Sequence, residues 1–523
     1  MRINGTDPWP ENHSQRSSSL ATISDLPNEL LLEVFTYCAA HRPDPPSSAP
    51  PWIGFSQVCQ RWRSIALNAP TLWSEPDLRI PDMGELMLKR SQNAPLDIVW
   101  SHEYSQTSYF LSKALDHIHR IATLAITQDI WRVILPPVSD DLTNPAPLLT
   151  SLKLSSVGRG GTTLPHNFLG NHTPKLTKLV ISGPISMVTP LWKNNLTALT
   201  IDYRNYNVEV GYKFFIEFLR HLGPELKHLT LVNAFPNVFE LPFERNLLNL
   251  RPDFQLTLGE IDIVVLRHLL DNITFPSPPH FNLIIGTLPI DSFVAQGEIS
   301  QLYACIGRCY DARNNPYFFT YLEVGVFGFM AYACGIDEEC EELDCPGCTI
   351  CNSCHSTLEV SYNLGSFTTR AFPPLLDEDS WAVLPFKGVR TLEFIYEVRG
   401  DRRLSPPWRM EYFFLSPRLT QVAVEGSWFA EQLMRCFASV VSTADNVEGQ
   451  KDTIAFPTLR TLVMRGVDFD TPLFEAFVAG LKFRLSYGAP VQKLVLEGCD
   501  GISDDHVGLI RELVRDVIVK DWE

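Results

Sequence analysis

The chain has 523 residues and is 45% hydrophobic, with a mean hydropathy of −0.01, so it is globular and long enough to bury a large core. Its 43 Lys and Arg against 60 Asp and Glu leave a formal charge of −17. An acidic chain without a basic stripe repels phosphate and anionic lipid, which argues against nucleic acid as a partner, and no run reaches the roughly 18 apolar residues of a membrane span.

Residues 1–20 are polar, Ser-rich and aperiodic, and are expected to form a disordered lead. They lack the apolar core that secretion requires. The expected setting is therefore intracellular, cytoplasmic or nuclear, with the 12 cysteines reduced rather than paired as disulfides. Residues 21–78 form the next block. A helix starts near Pro27, which is tolerated in a first turn, and Leu26, Leu30, Leu31, Val34 and Phe35 make one apolar stripe. The Pro-rich stretch HRPDPPSSAPP at 41–51 is a loop. A second stripe runs through Trp52, Phe55, Val58, Cys59, Trp62, Ile65 and Ala66 until Pro70 ends it, with Leu72 and Trp73 following.

Residues 79–523 follow another pattern. The strings LLTSLKL (148–154), KLTKLVI (175–181), NLTALTI (195–201), ELKHLTL (225–231), RLTQVAV (418–424), TLRTLVM (458–464) and VQKLVLEG (491–498) are variants of L-x-x-L-x-L. The leading leucines Leu149, Leu176, Leu196 and Leu226 are 27, 20 and 30 residues apart. That signature and period are those of leucine-rich repeats, in which each unit adds one short strand to a shared sheet. The spacing is irregular, and units between about 250 and 390 do not align. In the last unit Leu494, Leu496, Cys499 and Ile502 resemble the cysteine-containing class of repeat. Ser503 is positioned to cap a helix that Asp504 and Asp505 favour electrostatically. Val507, Ile510, Leu513, Val514, Val517 and Ile518 are expected to be the apolar face of that terminal helix.

The block 23–73 resembles the F-box domain in the form common in large fungal families. The residues that carry this are Ile23, Leu26, Pro27, Glu29, Leu30, Leu31, Val34 and Phe35, then Val58, Cys59, Trp62, Arg63, Ile65 and Ala66, closing with Pro70, Leu72 and Trp73. The resemblance implies a small helical bundle that binds a Skp-type linker protein and, through it, a cullin, while the C-terminal domain holds a protein substrate for ubiquitination. The residues expected to meet the linker are Leu26, Pro27, Leu30, Leu31, Val34, Phe35, Val58, Cys59, Trp62 and Ile65. Some of them must also form the module's own core, and Trp62 and Trp73 are expected in the core rather than at the contact. Apolar side chains in excess of what so small a bundle can bury mark a partner site. The expected fold is thus α+β or α/β: a small N-terminal helical F-box module, then an irregular leucine-rich-repeat solenoid that binds substrate. The alternative is a repeat scaffold, outside any ligase, whose F-box is degenerate.

Marks of catalysis are missing. There is no G-x-S-x-G, no G-x-x-x-x-G-K-[ST] and no H-E-x-x-H, and no enzyme or cofactor is expected. Gly158, Gly160 and Gly161 read as a loop between repeats. His117 and His119, two apart, would face different sides of a helix and share no metal. One cluster stands out within a Cys- and acid-rich loop at 333–360: Cys340, Cys345, Cys348, Cys351 and Cys354, followed by His355. Thiolates this close suit zinc or an iron–sulfur cluster, but the spacing matches neither ferredoxin runs nor zinc knuckles. No metal is assigned, and the loop is read as acidic and reduced.

Overall fold

The computed structural model describes residues 23–40, 51–101, 108–128, 141–156, 162–164, 166–187, 195–203, 222, 225–235, 250–251, 253–271, 273, 275, 280–287, 292–310, 321–325, 328–333, 356–362, 384, 386–395, 413, 416, 418–441 and 453–520. The N-terminal lead, the loop at 41–50, Gly158, Gly160 and Gly161, and the residues from Cys340 to His355 lie outside them.

A sixteen-stranded sheet dominates the fold. Its strands, in chain order, are β1 (Leu96–Ser101), β2 (Ile121–Gln128), β3 (Ser151–Ser156), β4 (Lys178–Ser182), β5 (Ala198–Asp202), β6 (His228–Val232), β7 (Gln255–Asp262), β8 (His280–Thr287), β9 (Tyr321–Gly325), β10 (Gly328–Ala333), β11 (Ser356–Tyr362), β12 (Thr391–Ile395), β13 (Gln421–Glu425), β14 (Thr461–Arg465), β15 (Lys493–Glu497) and β16 (Asp516–Lys520). Each of the seven Leu-rich strings holds one of these strands. The two-residue period explains why. In β3, Leu152 and Leu154 are fully buried while Lys153 between them is exposed; Leu179 with Ile181 and Leu229 with Leu231 are likewise buried around half-buried Val180 and Thr230, whereas between buried Leu494 and Leu496 Val495 is buried too. Each buried leucine stabilises by roughly 1.5–3 kcal/mol.

Spatial order follows chain order from β1 to β8 and from β12 to β16. Between them the order reverses: β8 pairs with β11, β11 with β10, β10 with β9, and β9 with β12. The strand β10 runs against its neighbours, and the others pair in parallel. This three-stranded meander, at 321–362, interrupts the repeat pattern within the stretch 250–390. Both ends of the expected loop at 333–360 lie in strands: Ala333 ends β10 and Ser356–Tyr362 forms β11.

The threonine of the L-T strings has a part of its own. Thr177 N–H and Lys178 N–H both donate to the Thr150 carbonyl, at 2.9 and 3.0 Å, and the Thr177 hydroxyl donates to it as well, at 3.2 Å. Thr150 donates likewise to Ala122, Thr197 to Thr177 and Thr420 to Arg390. Successive units are thereby tied just before their strands begin.

The remaining elements include helices, of which those from Pro81 onward contribute buried side chains to the sheet's core. In chain order they are α1 (Asn28–Ala40), α2 (Phe55–Val58), α3 (Gln60–Leu67), α4 (Pro81–Arg90), α5 (Ser108–Leu115), α6 (Ile263–Asp271), α7 (Ser292–Tyr310), α8 (Ser427–Phe437), α9 (Thr471–Ser486) and α10 (Asp504–Arg511). Buried Phe429, Ala430, Leu433, Met434 and Phe437 form one stripe of α8. Gly480 lets α9 approach it, since a Cβ there would lie 2.7 Å from Phe437 Cδ1. Arg484, fully buried, donates to the carbonyls of Ala455 and Phe456 at 2.7 Å each, and its guanidinium lies over the Phe437 ring. Burial pulls its pKa down to about 10.

Ser503 caps α10, its hydroxyl accepting from His506 N–H while His506 Nδ1 accepts from Ser503 N–H. The helix is shorter than its apolar pattern suggested. Val517 and Ile518, expected on its face, stand in strand β16, which pairs in parallel with β15. The reason is local: Val517, Ile518 and Val519 are three β-branched residues in a row, favoured in a strand, and β15 offers a free edge. The described chain thus closes on a strand.

Candidate functional site

The N-terminal helices carry a core separate from that of the sheet. Phe35, Ala66, Ala69, Leu72, Trp73 and Met87 are buried together, with Leu32, Ile53, Phe55, Trp62 and Ile65 packed around them. The Phe35 ring stacks on Phe55 at 4.8 Å and meets Trp62 at 5.0 Å. Trp73 Nε1–H donates to the Ala66 carbonyl at 2.9 Å, and the Arg90 guanidinium lies 4.4 Å from the Trp73 ring centre.

The second apolar stripe is not one continuous helix. Cys59 is extended (φ −156°, ψ 169°) and separates α2 from α3, its sulfur accepting from Trp62 N–H at 3.5 Å. Position 59 is therefore a helix N-cap, a role invisible to apolar spacing because a thiol is an uncommon capping group.

Helix α4 serves both cores. Met87 belongs to the module's cluster, while Leu88 belongs to the sheet's. The buried Arg120 guanidinium sits at the C-terminal end of α4, donating to the Ala94 carbonyl at 2.8 Å, Ser91 Oγ at 3.1 Å and the Leu88 carbonyl at 3.2 Å. A cation at the carbonyl end of a helix satisfies orphan acceptors. Asp97 N–H of β1 donates to the Ser74 carbonyl at 2.9 Å, joining the sheet's first edge to the end of the module.

The expected contact residues divide into two sets. Leu31 and Phe35 are fully buried and belong to the interior, a correction to their place among linker contacts: a side chain filling the bundle's core meets no partner. Leu26, Trp62 and Ile65 are half-buried. Pro27, Leu30, Val34, Val58 and Cys59 are exposed, with Leu30 at 44%, Val34 at 42% and Val58 at 60%. Pro27, Leu30 and Val34 are spaced three and four apart and so share a face of α1. Tyr37, 66% exposed, continues that row. It lies beyond the motif, which ends at Phe35, at a three-residue step from Val34. Ile23, 53% exposed, lies in the turn before α1.

Arg61 secures this surface. Its Nε donates to Asn28 Oδ1 at 2.9 Å and its Nη2 to the Leu26 carbonyl. That pins the start of α1 to α3, one turn beyond the exposed Val58. The result is an apolar face held by its own core and by a hydrogen-bonded corner.

Elsewhere, chemistry is sparse. Among the described residues no three His, Cys, Asp or Glu side chains are grouped to hold a metal, and Cys38, Cys59, Cys305, Cys309, Cys436 and Cys499 are not in disulfides. Burial pushes Cys305 and Cys309 up to about 12, Asp271 adding to the effect at Cys305 and Cys305 to that at Cys309, so neither is an activated nucleophile. His117 and His119 sit in a turn and a 3-10 helix, not on an α-helix, and their rings lie edge to face with centres 6.3 Å apart. No helix among the described residues is long and apolar enough to cross a membrane.

Residues 23–79 match the family model described as F-box-like. This span holds the exposed α1 face and all of the separate core except what α4 adds through Met87, and the chain carries an F-box-like domain there. No curated protein matches the chain.

Proposed function

We propose that the chain is the substrate-recognition adaptor of a Skp–cullin–F-box ubiquitin ligase and has no catalytic group of its own. F-box domains typically bind Skp-type linker proteins. The observation that carries this reading is the row Pro27, Leu30, Val34 and Tyr37, exposed although an apolar core lies one side chain away. In this reading the row and Val58 meet the linker, which joins the module to a cullin. The rest of the chain is an irregular leucine-rich-repeat solenoid whose strand period and order suit a repeat domain, and it holds a protein substrate. Its contribution is effective concentration: substrate lysines are kept near a reactive thioester. The shared helix α4 and the Arg120 contacts make the two parts one lever, so substrate position is transmitted to the scaffold. The setting is intracellular, in cytoplasm or nucleus.

Affinity capture of the full chain under proteasome inhibition, read by mass spectrometry, tests this. The expected result is co-recovery of linker, cullin and a target. Capture without linker or cullin overturns the ligase reading in favour of a scaffold with a degenerate F-box.

A further inference from the structure

The two ends of the sheet differ. At β1 the edge is engaged by the module through Asp97 and Ser74. At the other end β16 is the last strand, and among the described residues nothing pairs with its outer side. Its bonds to β15 fix which groups face out. Asp516 N–H donates to the Gln492 carbonyl, and Gly498 N–H donates to the Lys520 carbonyl, so residues 516, 518 and 520 point their main-chain groups inward. The N–H and C=O of Val517 and Val519 therefore point away from the sheet. Val519 is 52% exposed and Leu509 of the neighbouring α10 is 39% exposed. This is an open strand edge flanked by apolar surface.

The sequence of the edge, Asp-Val-Ile-Val-Lys, is complementary to itself when reversed. Antiparallel pairing of two copies about Ile518 sets Asp516 opposite Lys520 and Val517 opposite Val519. Val517 and Val519, whose main-chain groups face out, then form the hydrogen-bonded pairs, while Ile518 meets its own copy in a non-hydrogen-bonded pair on the axis. The side chains on the Ile518 face of the sheet agree. Residues Glu425, Arg465, Glu497 and Lys520 stand in register across β13 to β16 with alternating charge, and Arg465 Nε pairs with Glu497 Oε2 at 3.1 Å. A second copy continues the alternation, placing Asp516 and then Lys493 beyond Lys520. It also extends the apolar row of Ala423, Val463, Val495 and Ile518 across the axis. Shifting the register by two residues separates both charge pairs.

We propose that this edge is an isologous interface, at which the C-terminal strand of one chain pairs antiparallel with the same strand of a second copy. The interaction is independent of linker binding, so its test does not depend on the adaptor reading. Sedimentation of the full chain should show a reversible dimer by about 100 µM, a range that suits a small interface. V519P removes only an outward N–H, and it should weaken dimerisation on the order of tenfold or more with an unchanged circular dichroism spectrum. I518C should give a cross-linked dimer on mild oxidation, with the 518–518 disulfide recovered by mass spectrometry, whereas V517C should not. A wild type that stays monomeric, a dimer indifferent to V519P, or equal cross-linking by V517C would each overturn the proposal.

Discussion

Val34 and Phe35 are adjacent in sequence and opposite in environment: Phe35 is fully buried against Phe55 and Trp62, while Val34 is 42% exposed on the face of α1 that also carries Leu30. One side chain holds the module together and the other is free to meet a partner. Phe35→Ala should therefore destabilise the module by about 3–5 kcal/mol, as deletion of a buried aromatic does. Val34→Ala should change stability by less than about 0.5 kcal/mol. Urea unfolding of each variant beside wild type separates the two.

Arg120 provides a second test, of the junction. Its guanidinium satisfies the Ala94 and Leu88 carbonyls and the Ser91 hydroxyl at once. Arg120→Met keeps the stem but strands those acceptors, and should cost about 1.5–3 kcal/mol. Limited proteolysis should then cut between the module and the sheet sooner than in wild type, with the exposed face of α1 intact.

The threonine ties between units predict a graded effect. Thr177→Val deletes the hydroxyl bond to Thr150 and preserves shape. Because the site is exposed and water can replace the partner, the expected loss is about 0.5 kcal/mol, and Thr177→Ser should be closer to wild type. A triple replacement at Thr150, Thr177 and Thr197 should show a larger, near-additive loss of thermal stability.

Acid should weaken one surface network. Hydrogen bonds from Arg251 and then Lys227 hold the Asp253 carboxyl down to about 2, with Arg251 also paired to Glu225. A depressed carboxyl pKa stabilises the fold above its unfolded value near 3.8 and loses that contribution as pH falls towards 2. Asp253 is half exposed, so screening limits the effect to below about 1 kcal/mol. The stability difference between wild type and Asp253→Asn should shrink from pH 4 towards pH 2 and shrink also in high salt.

Much of this architecture was legible because it rests on short-range periodicity. Leucines two apart, as at Leu152 and Leu154, announce a strand with one buried face, and the capped start of α10 was readable from Ser503 and its acids. What escaped reading depends on tertiary pairing. The meander of β9 to β11 has no repeat signature, since its strands are placed by ladders with partners distant in sequence. Val517 and Ile518 fit a helical stripe as well as a strand, and only the free edge of β15 decides between them. At the candidate site, apolar spacing located the helix but could not divide the buried Leu31 and Phe35 from the exposed Leu30 and Val34. The division depends on where α3 packs, and on the break at Cys59 that positions it.

The most direct test measures the affinity of the full chain for a Skp-type linker protein by titration calorimetry, comparing wild type with Leu30→Ala/Val34→Ala. Loss of two exposed apolar anchors from an interface should weaken binding by roughly tenfold to a hundredfold, while the melting temperature and circular dichroism stay those of wild type. Equal affinity in the two proteins, or no binding by the wild type, would contradict the account.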